Sequence, residues 1–191
     1  MAAEGGPAAQ PARGVASYSL SGYRWNQETV SFSIANCPQS LDCEAARTAV
    51  REAAAAWSSV AGIELVEVET GGDINISWSG SGYGGLHRFD GKGGRVAQTY
   101  YPFASGAIWY DGDIVLDDAE TWVVGTPTQA FPHQSHLTTI VTHELGHSLG
   151  LAHSPNRAAL MWPYYSGPQG LTDHDIAGVQ ALYGAPVPAA Q

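Results

Sequence analysis

Positively charged residues are scarce in this sequence. Eight of its 191 residues are Lys or Arg, against 18 Asp or Glu, so the formal net charge is −10. Proteins that bind nucleic acid through phosphate contacts need clustered cations, and Lys92 is the single lysine here. The composition therefore predicts that nucleic acid is not a partner.

Long hydrophobic runs are missing as well. The apolar runs are only a few residues long, whereas a helix that crosses a bilayer needs about 18 to 20 apolar residues. No basic segment followed by an apolar one stands near Met1, as a secretory signal would require. We therefore expect a soluble chain without membrane contact, whose first residue was set by processing or by engineering.

Cysteine is limited to two residues, Cys37 and Cys43, with Pro38 and Ser40 between them. Two nearby cysteines joined by turn-forming residues predict a small disulfide loop, which implies an oxidising compartment and a secreted protein. Two free buried thiols are the alternative. Two cysteines are too few for a zinc knuckle.

The sequence does contain enough apolar material for one folded domain. Apolar residues make up 44% of the chain, aromatic residues 10% and charged residues 14%, a composition that excludes a disordered chain. Its length suits one domain rather than two. Because Ala, Gly and Pro dominate both ends, we predict disordered tails over residues 1–17 and 185–191, flanking a domain at 18–184.

Strand and helix patterns alternate in the first half of this domain. Residues 29–34, 63–68 and 74–78 alternate apolar and polar side chains, which predicts strands. Between the first two, Asp42 is a suitable N-cap for a helix that ends near Trp57 and has apolar residues at helical spacing. A strand, helix, strand order favours a partly parallel sheet.

Two further helices are predicted in the second half. One begins at Ser135 or His136 and stops at Gly150. The other begins at Thr172 with Asp175 three positions later, which is a capping-box pattern, and continues to Gly184.

The segment HELGHSLGLAH, residues 143 to 153, contains the chemistry. On a helix, His143 and His147 lie one turn apart on the same face, so both imidazoles can reach one metal ion. Gly150 can end the helix and turn the chain back, which brings His153 in as a third ligand. Three nitrogen ligands leave one position on zinc open for water, and Glu144 is placed to take the proton of that water. The alternative is a chance match among surface histidines.

These eleven residues resemble the extended zinc signature of the metzincin metallopeptidases. Met161, in ALMWP, resembles the Met-turn of that clan in its matrixin form, and residues 171–184 resemble the closing helix of matrixin catalytic domains. The resemblance implies that Met161 is an apolar floor beneath the zinc; on residue type alone it is simple core filler. It also implies an α+β fold, an α/β-type sandwich with a twisted, mostly parallel five-stranded sheet and three helices.

The resemblance further implies how a substrate binds. An extended polypeptide would pair with an edge strand at residues 96–100, which includes Val96 and Gln98. Pro163, Tyr164 and Tyr165 would form one wall of a pocket for an apolar side chain just after the scissile bond. Thr139 occupies a position that blocks this pocket when large, so its small size predicts an open pocket. Core packing is the alternative for the two tyrosines.

Calcium sites are implied in the same way, because calcium prefers carboxylate and carbonyl oxygens. The first would use carboxylates of Asp90, Asp117 and Glu120 with backbone carbonyls of Gly91, Gly93 and Arg95. A second would use Asp73 and Asp113, with carbonyls near Trp109 and Asp111. A solvated acidic loop is the alternative.

One feature of the family is predicted to be absent. Matrixins usually hold a second, structural zinc with three His and one Asp, and alignment puts Tyr83, Gly85, Gln98 and Val115 at those positions. Only Gln98 could bind zinc, and weakly. His87 lies nearby and is interpreted as a solvated loop residue.

The sequence therefore predicts a secreted, monomeric zinc endopeptidase, with one catalytic zinc and one or two calcium ions. Two other hypotheses stay open. The first is a metzincin-fold peptide-binding or adhesive module that retains zinc without turnover, and the second is a metzincin of a non-matrixin branch.

Overall fold

The computed structural model describes residues 17–80, 89–102, 110–125 and 134–186. Most of both predicted tails therefore lies outside the described residues. The elements in these ranges, in chain order, are β1 (Ser19–Leu20), β2 (Thr29–Ile34), α1 (Cys43–Ser58), β3 (Glu64–Glu67), β4 (Ile74–Ser79), β5 (Ala97–Thr99), β6 (Ile114–Asp117), β7 (Thr121–Val123), β8 (Gln134–His136), α2 (Leu137–Ser148), β9 (Leu151–Ala152) and α3 (Asp173–Tyr183).

A five-stranded sheet forms the centre of the fold, in the order β3-β2-β4-β6-β5. Strands β3, β2, β4 and β6 run parallel to one another, whereas β5 is antiparallel to β6 and lies at the edge. The predicted α+β fold with three helices and a mostly parallel sheet is therefore confirmed. The alternation in β2 and β4 places Val30, Phe32, Ile74 and Ile76 in the core.

Helix α1 begins where its cap residue predicts. The Asp42 carboxylate accepts a hydrogen bond from the backbone N–H of Ala45 at 3.1 Å, which satisfies one of the unpaired donors at the helix start. The apolar residues at helical spacing, Ala46 and Val50 among them, are buried. Trp57 is fully buried and its indole N–H donates to the backbone carbonyl of Thr142 at 2.8 Å, which ties α1 to α2.

Helix α2 is the most buried helix: its apolar face packs in the core, and polar residues such as Thr142, Glu144 and His147 are buried as well. It begins at Leu137, one or two residues after the predicted start, because His136 serves as its cap: His136 Nδ1 accepts the backbone N–H of Thr139 at 3.3 Å. It ends as predicted before Gly150, whose φ of 104° favours glycine. A Cβ at Gly150 would also collide with the backbone carbonyl of Tyr23.

The chain beyond Gly150 is held by the N-terminal segment. Strand β9 pairs with β1 in antiparallel orientation, and the backbone N–H of Ser21 donates to the Gly150 carbonyl at 2.9 Å. Further out, the Ser154 hydroxyl donates to the Ser17 carbonyl at 2.8 Å. The segment that leads to His153 is therefore fixed at both ends.

Helix α3 and the disulfide also follow the predictions. The Thr172 N–H and hydroxyl both donate to the Asp175 carboxylate, at 2.9 and 2.7 Å. Cys37 and Cys43 form a disulfide with their Cα atoms 5.3 Å apart, which confirms the predicted pairing over free thiols. Within the described ranges, no helix is long and apolar enough to cross a bilayer.

Candidate metal centre and substrate cleft

Three histidines converge on one point at the sheet's edge. Helix α2 contributes His143 and His147 one turn apart, and His153 follows β9 on the returning segment. Their ring centroids lie 4.7 to 5.4 Å apart. One potential ligand atom from each ring lies within 4.8 Å of the others. The predicted turn at Gly150 therefore brings the third imidazole to the first two.

Backbone carbonyls fix the orientation of two of these rings. His143 Nδ1 lies 2.8 Å from the Leu160 carbonyl oxygen, and His147 Nδ1 lies 2.8 Å from that of Leu151. A carbonyl only accepts, so each Nδ1 bears the hydrogen and each Nε2 is left with a lone pair. The two Nε2 atoms lie 3.1 Å apart, close to the roughly 3.3 Å that separates two nitrogen ligands on a tetrahedral zinc. The donor set therefore fits a zinc ion.

Burial keeps the imidazoles of His147 and His153 neutral at physiological pH. Burial and the neighbouring His143 lower the pKa of His147 to about 4, and its hydrogen bond to Leu151 opposes this. The outer side of His153 is exposed, yet desolvation of its ring and the two other histidines lower its pKa to about 4 as well, against the opposing charge of Glu144. Neutral imidazoles are the form that binds metal.

Glu144 lies next to the first histidine and is only 8% exposed. Its Oε2 accepts a hydrogen bond from the hydroxyl of Thr99, in β5, at 2.6 Å. The carboxylate therefore faces the histidine cluster from α2 while it contacts the edge strand. Tyr101, two residues further along, places its ring edge-on to that of His147, with the centroids 5.7 Å apart.

Met161 is 1% exposed and packs against the helix that contains His143 and His147. A Cβ added to Gly146 would lie 2.5 Å from the Met161 sulfur, so the turn packs directly on α2. Asp175 of α3 holds this turn, because its carboxylate accepts the N–H groups of Leu160 and Met161 at 2.9 and 3.0 Å. Both packing and hydrogen bonds therefore fix the position of Met161.

A cavity of about 90 Å³ lies beside the histidines. Its lining includes four of the five residues predicted to bind substrate, and Gln98 is not among them. The four are Val96, Thr139, Pro163 and Tyr165. Tyr164 also borders it but is 72% exposed, so the core-packing alternative is wrong for this residue.

Several residues that border this cavity are joined by hydrogen bonds that the sequence did not reveal. The Thr139 hydroxyl donates to the Gln169 carbonyl at 3.1 Å and accepts the Gln169 N–H at 3.0 Å. The backbone N–H of His136 donates to the Tyr165 hydroxyl at 3.3 Å. Thr139 and Gln169 thus border the cavity side by side, joined by two hydrogen bonds.

The residues of the first predicted calcium site gather around the loop before β5. The backbone N–H of Arg95 donates to Asp90 at 2.8 Å, and that of Gly93 donates to Glu120 at 2.6 Å. Asp117 is fully buried, and its Oδ2 has no hydrogen-bond partner among the described residues. Desolvation raises the pKa of Asp117, opposed by the backbone hydrogen bond from Ala119, and the charge of Asp90 raises it further. This buried, unpartnered oxygen fits a cation.

The residues of the second predicted calcium site have other contacts. Asp73 Oδ2 accepts hydrogen bonds from the N–H and hydroxyl of Ser31, at 2.8 and 2.7 Å. Asp113 Oδ1 accepts the N–H of Asn75 at 2.8 Å. Trp109 lies outside the described residues. Each described carboxylate thus stabilises a strand of the sheet.

Two of the four positions aligned with ligands of the family's structural zinc lie within the described residues. Gln98 and Val115 are partners across β5 and β6, and Val115 is 1% exposed with no atom that can bind a metal. Tyr83 and Gly85, with the nearby His87, lie outside the described residues.

Four residues of the site were not identified from the sequence: Thr99, His136, Gln169 and Asp175. For Asp175 the sequence predicted only its part in the capping box, not its hydrogen bonds to the Met161 turn. The alternation of a strand places Thr99 on the same face of β5 as Ala97, but it does not predict the contact with Glu144. The other three act through backbone groups of distant segments, for which the sequence contains no signal.

Comparison with known proteins agrees with this geometry. Residues 24–184 match the family model for Matrixin. The chain is 34% identical to karilysin of Tannerella forsythia over 179 residues, which is 92% of this chain and 36% of that protein. It is 36% identical to human matrix metalloproteinase-20 over 166 residues, with 84% and 32% covered, and 36% identical to rat stromelysin-2 over 168 residues, with 85% and 33% covered. The chain thus spans about a third of the length of these relatives, and it belongs to the matrixin family of zinc metalloendopeptidases.

Proposed function

We propose that this chain is a zinc-dependent endopeptidase in which His143, His147 and His153 hold one catalytic zinc. The observation that carries the proposal is the pair of Nε2 lone pairs 3.1 Å apart, with the third imidazole alongside and a buried carboxylate adjacent. Bound zinc would lower the pKa of a water molecule and polarise the carbonyl of a peptide bond.

Glu144 performs the proton transfers in this proposal. As general base, its carboxylate takes a proton from the attacking water, and as general acid it delivers that proton to the leaving amine nitrogen. Its low exposure excludes bulk water, and its position in α2 fixes its distance from the histidines of the same helix. His143 and His147 keep their ligand nitrogens aimed inward through their hydrogen bonds to Leu160 and Leu151. The buried Met161 packs against the helix that contains these two ligands.

The substrate is an extended polypeptide that pairs with β5. This strand lies at the sheet's edge, so the backbone groups on its outer side can bind another strand, with Val96 and Gln98 at that edge. The cavity bordered by Thr139, Pro163 and Tyr165 would take the apolar side chain just after the scissile bond. Its small volume favours aliphatic side chains, because an engineered apolar cavity that binds benzene measures about 150 Å³.

We further propose one calcium ion at the loop before β5, bound by carboxylates of Asp90, Asp117 and Glu120. The unpartnered Oδ2 of Asp117 supports this site. Carbonyls of Gly91, Gly93 and Arg95 would complete its coordination. A second calcium at Asp73 and Asp113 remains part of the proposal, whereas the structural zinc of the family is proposed absent because Val115 cannot bind metal.

We also propose an extracellular location and a monomeric state. The disulfide between Cys37 and Cys43 supports an oxidising compartment. Polypeptide substrates are the proposed partners, and the net charge of −10 argues against nucleic acid.

Glu144→Gln tests the proposal directly. This variant keeps the shape of the side chain but cannot accept the proton, so we expect cleavage of a peptide library to fall by about 10² to 10⁴-fold. Zinc content by mass spectrometry should stay at one ion per chain, and a zinc chelator should stop cleavage by the parent protein. Glu69→Gln, at an exposed position, is the matched control and should cleave normally.

Two results would contradict the proposal. Near-normal turnover by Glu144→Gln would remove Glu144 from its role. A zinc-loaded parent protein that binds unstructured polypeptide without cutting it would favour the peptide-binding module instead.

A further inference from the structure

The edge strand contacts the general base directly. The Thr99 hydroxyl donates to Glu144 Oε2 at 2.6 Å, a short distance typical of a hydrogen bond from a hydroxyl to a carboxylate. Among the described residues, no other side chain donates a hydrogen bond to this carboxylate. The contact joins residues 45 positions apart, so it exists only in the folded protein.

The geometry of β5 dictates this contact. Side chains alternate along a strand, so Thr99 and Ala97 share the face opposite to that of Gln98. The strand is antiparallel to β6, and its register pairs Thr99 with Ile114. The hydroxyl donates across to α2, because Glu144 lies in that helix. Threonine is favoured in strands, since its branched side chain packs well there.

A carboxylate buried as deeply as Glu144 needs both a partner and a defined orientation. A glutamate side chain has several rotatable bonds, and ordering such a side chain costs free energy. The Thr99 hydroxyl occupies one carboxylate oxygen and leaves the other available. We propose that Thr99 is a positioning residue for the reaction: it fixes the Glu144 carboxylate through Oε2, so that Oε1 faces the attacking water.

This inference deepens the proposed function and rests on it. The proposed substrate pairs with the backbone of β5, and the same strand holds the base through Thr99. Substrate binding would therefore order β5 and Glu144 together. Thr99 would affect the chemical step more than binding, since its hydroxyl points at the base and its backbone remains for the substrate.

Replacement of Thr99 by Val and by Ser separates positioning from packing. Val keeps the branched shape and the strand preference but removes the hydroxyl, so we expect kcat to fall about tenfold with KM changed less than twofold. Ser keeps the hydroxyl and loses one methyl group, so it should keep kcat within about twofold of the parent. Thr121→Val, in β7, is the matched control and should leave both constants unchanged.

A double-mutant cycle tests whether Thr99 acts through Glu144. Glu144→Asp shortens the side chain and takes the carboxylate out of reach of the Thr99 hydroxyl. In that background, Thr99→Val should change the remaining activity less than twofold, because residues that act through one contact are not additive. A full tenfold loss would assign Thr99 a separate structural role and overturn the inference.

Binding of a peptide hydroxamate, measured by calorimetry, gives a readout that does not depend on turnover. A hydroxamate binds zinc and hydrogen-bonds to a correctly placed glutamate, so Thr99→Val should weaken it about three- to tenfold while Thr99→Ser does not. Zinc content and melting temperature should be the same in all three proteins. Unchanged kcat and hydroxamate affinity in Thr99→Val would overturn this inference alone. A parent protein that cuts no peptide would overturn the proposed function and this inference with it.

Discussion

A single tyrosine hydroxyl joins three separate segments near the end of α3. Tyr183 donates to the Leu149 carbonyl at 2.6 Å and accepts the backbone N–H of Trp25 at 3.1 Å. Burial raises the pKa of Tyr183 from 10.0 to about 12, against opposing effects of Trp25 and Arg24. The phenol therefore stays protonated in the folded protein at pH values where an unfolded chain has already lost the proton.

This raised pKa predicts how stability falls in alkaline solution. Below pH 10 the Tyr183 phenol is protonated in both the folded and the unfolded state, so its contribution to stability is complete. Between pH 10 and 12 it loses its proton only in the unfolded state. The free energy of unfolding should therefore drop by about 2 kcal/mol more in the parent than in Tyr183→Phe over that interval. Urea unfolding at pH 9, 10, 11 and 12 measures the difference; parallel pH profiles for the two proteins would contradict it.

At this scale, some residues of the site are predictable from the sequence and others are not. The two helical histidines are one turn apart in the chain, so their convergence follows from helix geometry alone. The contact of Thr99 with Glu144 depends on how β5 lies against α2, and no spacing in the sequence encodes that. Local geometry was therefore predicted, whereas contacts between distant elements were not.

Among the elements, α3 also holds the turn that contains Met161. Its buried Asp175 accepts the N–H and hydroxyl of Thr172 at the helix start and the N–H groups of Leu160 and Met161 in that turn. These four donors stabilise its negative charge, and no ion pair with Asp175 occurs among the described residues. The capping box that marks this helix in the sequence thus also fixes the Met161 turn.

Asp175→Asn should loosen α3 and the turn together. An amide has one acceptor oxygen, and its NH₂ group would face backbone donors that have no other partner. We expect the free energy of unfolding to fall by about 2 to 4 kcal/mol, with weaker zinc binding in a competition assay. Asp173→Asn, at an exposed position of the same helix, should change stability by less than about 0.5 kcal/mol. Equal effects of the two variants would rule out this role.

Element bounds were predicted to within one or two residues for all three helices, because caps and glycine stops are local signals. The short strands β1 and β9 were not predicted. Each has two residues, and their pairing depends on the turn at Gly150 bringing distant segments together. Strands this short have no usable alternation of their own.

At the scale of the whole molecule, the negative charge is linked to the proposed calcium ion. Asp90, Asp117 and Glu120 lie around one loop, and without a cation the charge of Asp90 and burial both oppose ionisation of Asp117. Removing calcium with EGTA should therefore lower the melting temperature by several degrees, because a ligand that binds only the folded state stabilises it. Thermal melting with and without calcium measures this effect.

Asp117→Asn provides the control for that prediction. It removes one of the repelling charges and weakens the cation site, so its melting temperature should depend little on calcium. An unchanged melting temperature of the parent protein after calcium removal would contradict the site.

The proposed pairing of substrates with β5 would limit which proteins can be cleaved. The strand has only three residues, and a binding partner must offer free backbone groups of its own. A chain already paired in a folded protein has none to spare. The rate at which a native protein is cut should therefore follow the free energy of its own local unfolding. Substrate choice would therefore depend first on whether the target segment is unfolded and only then on its sequence.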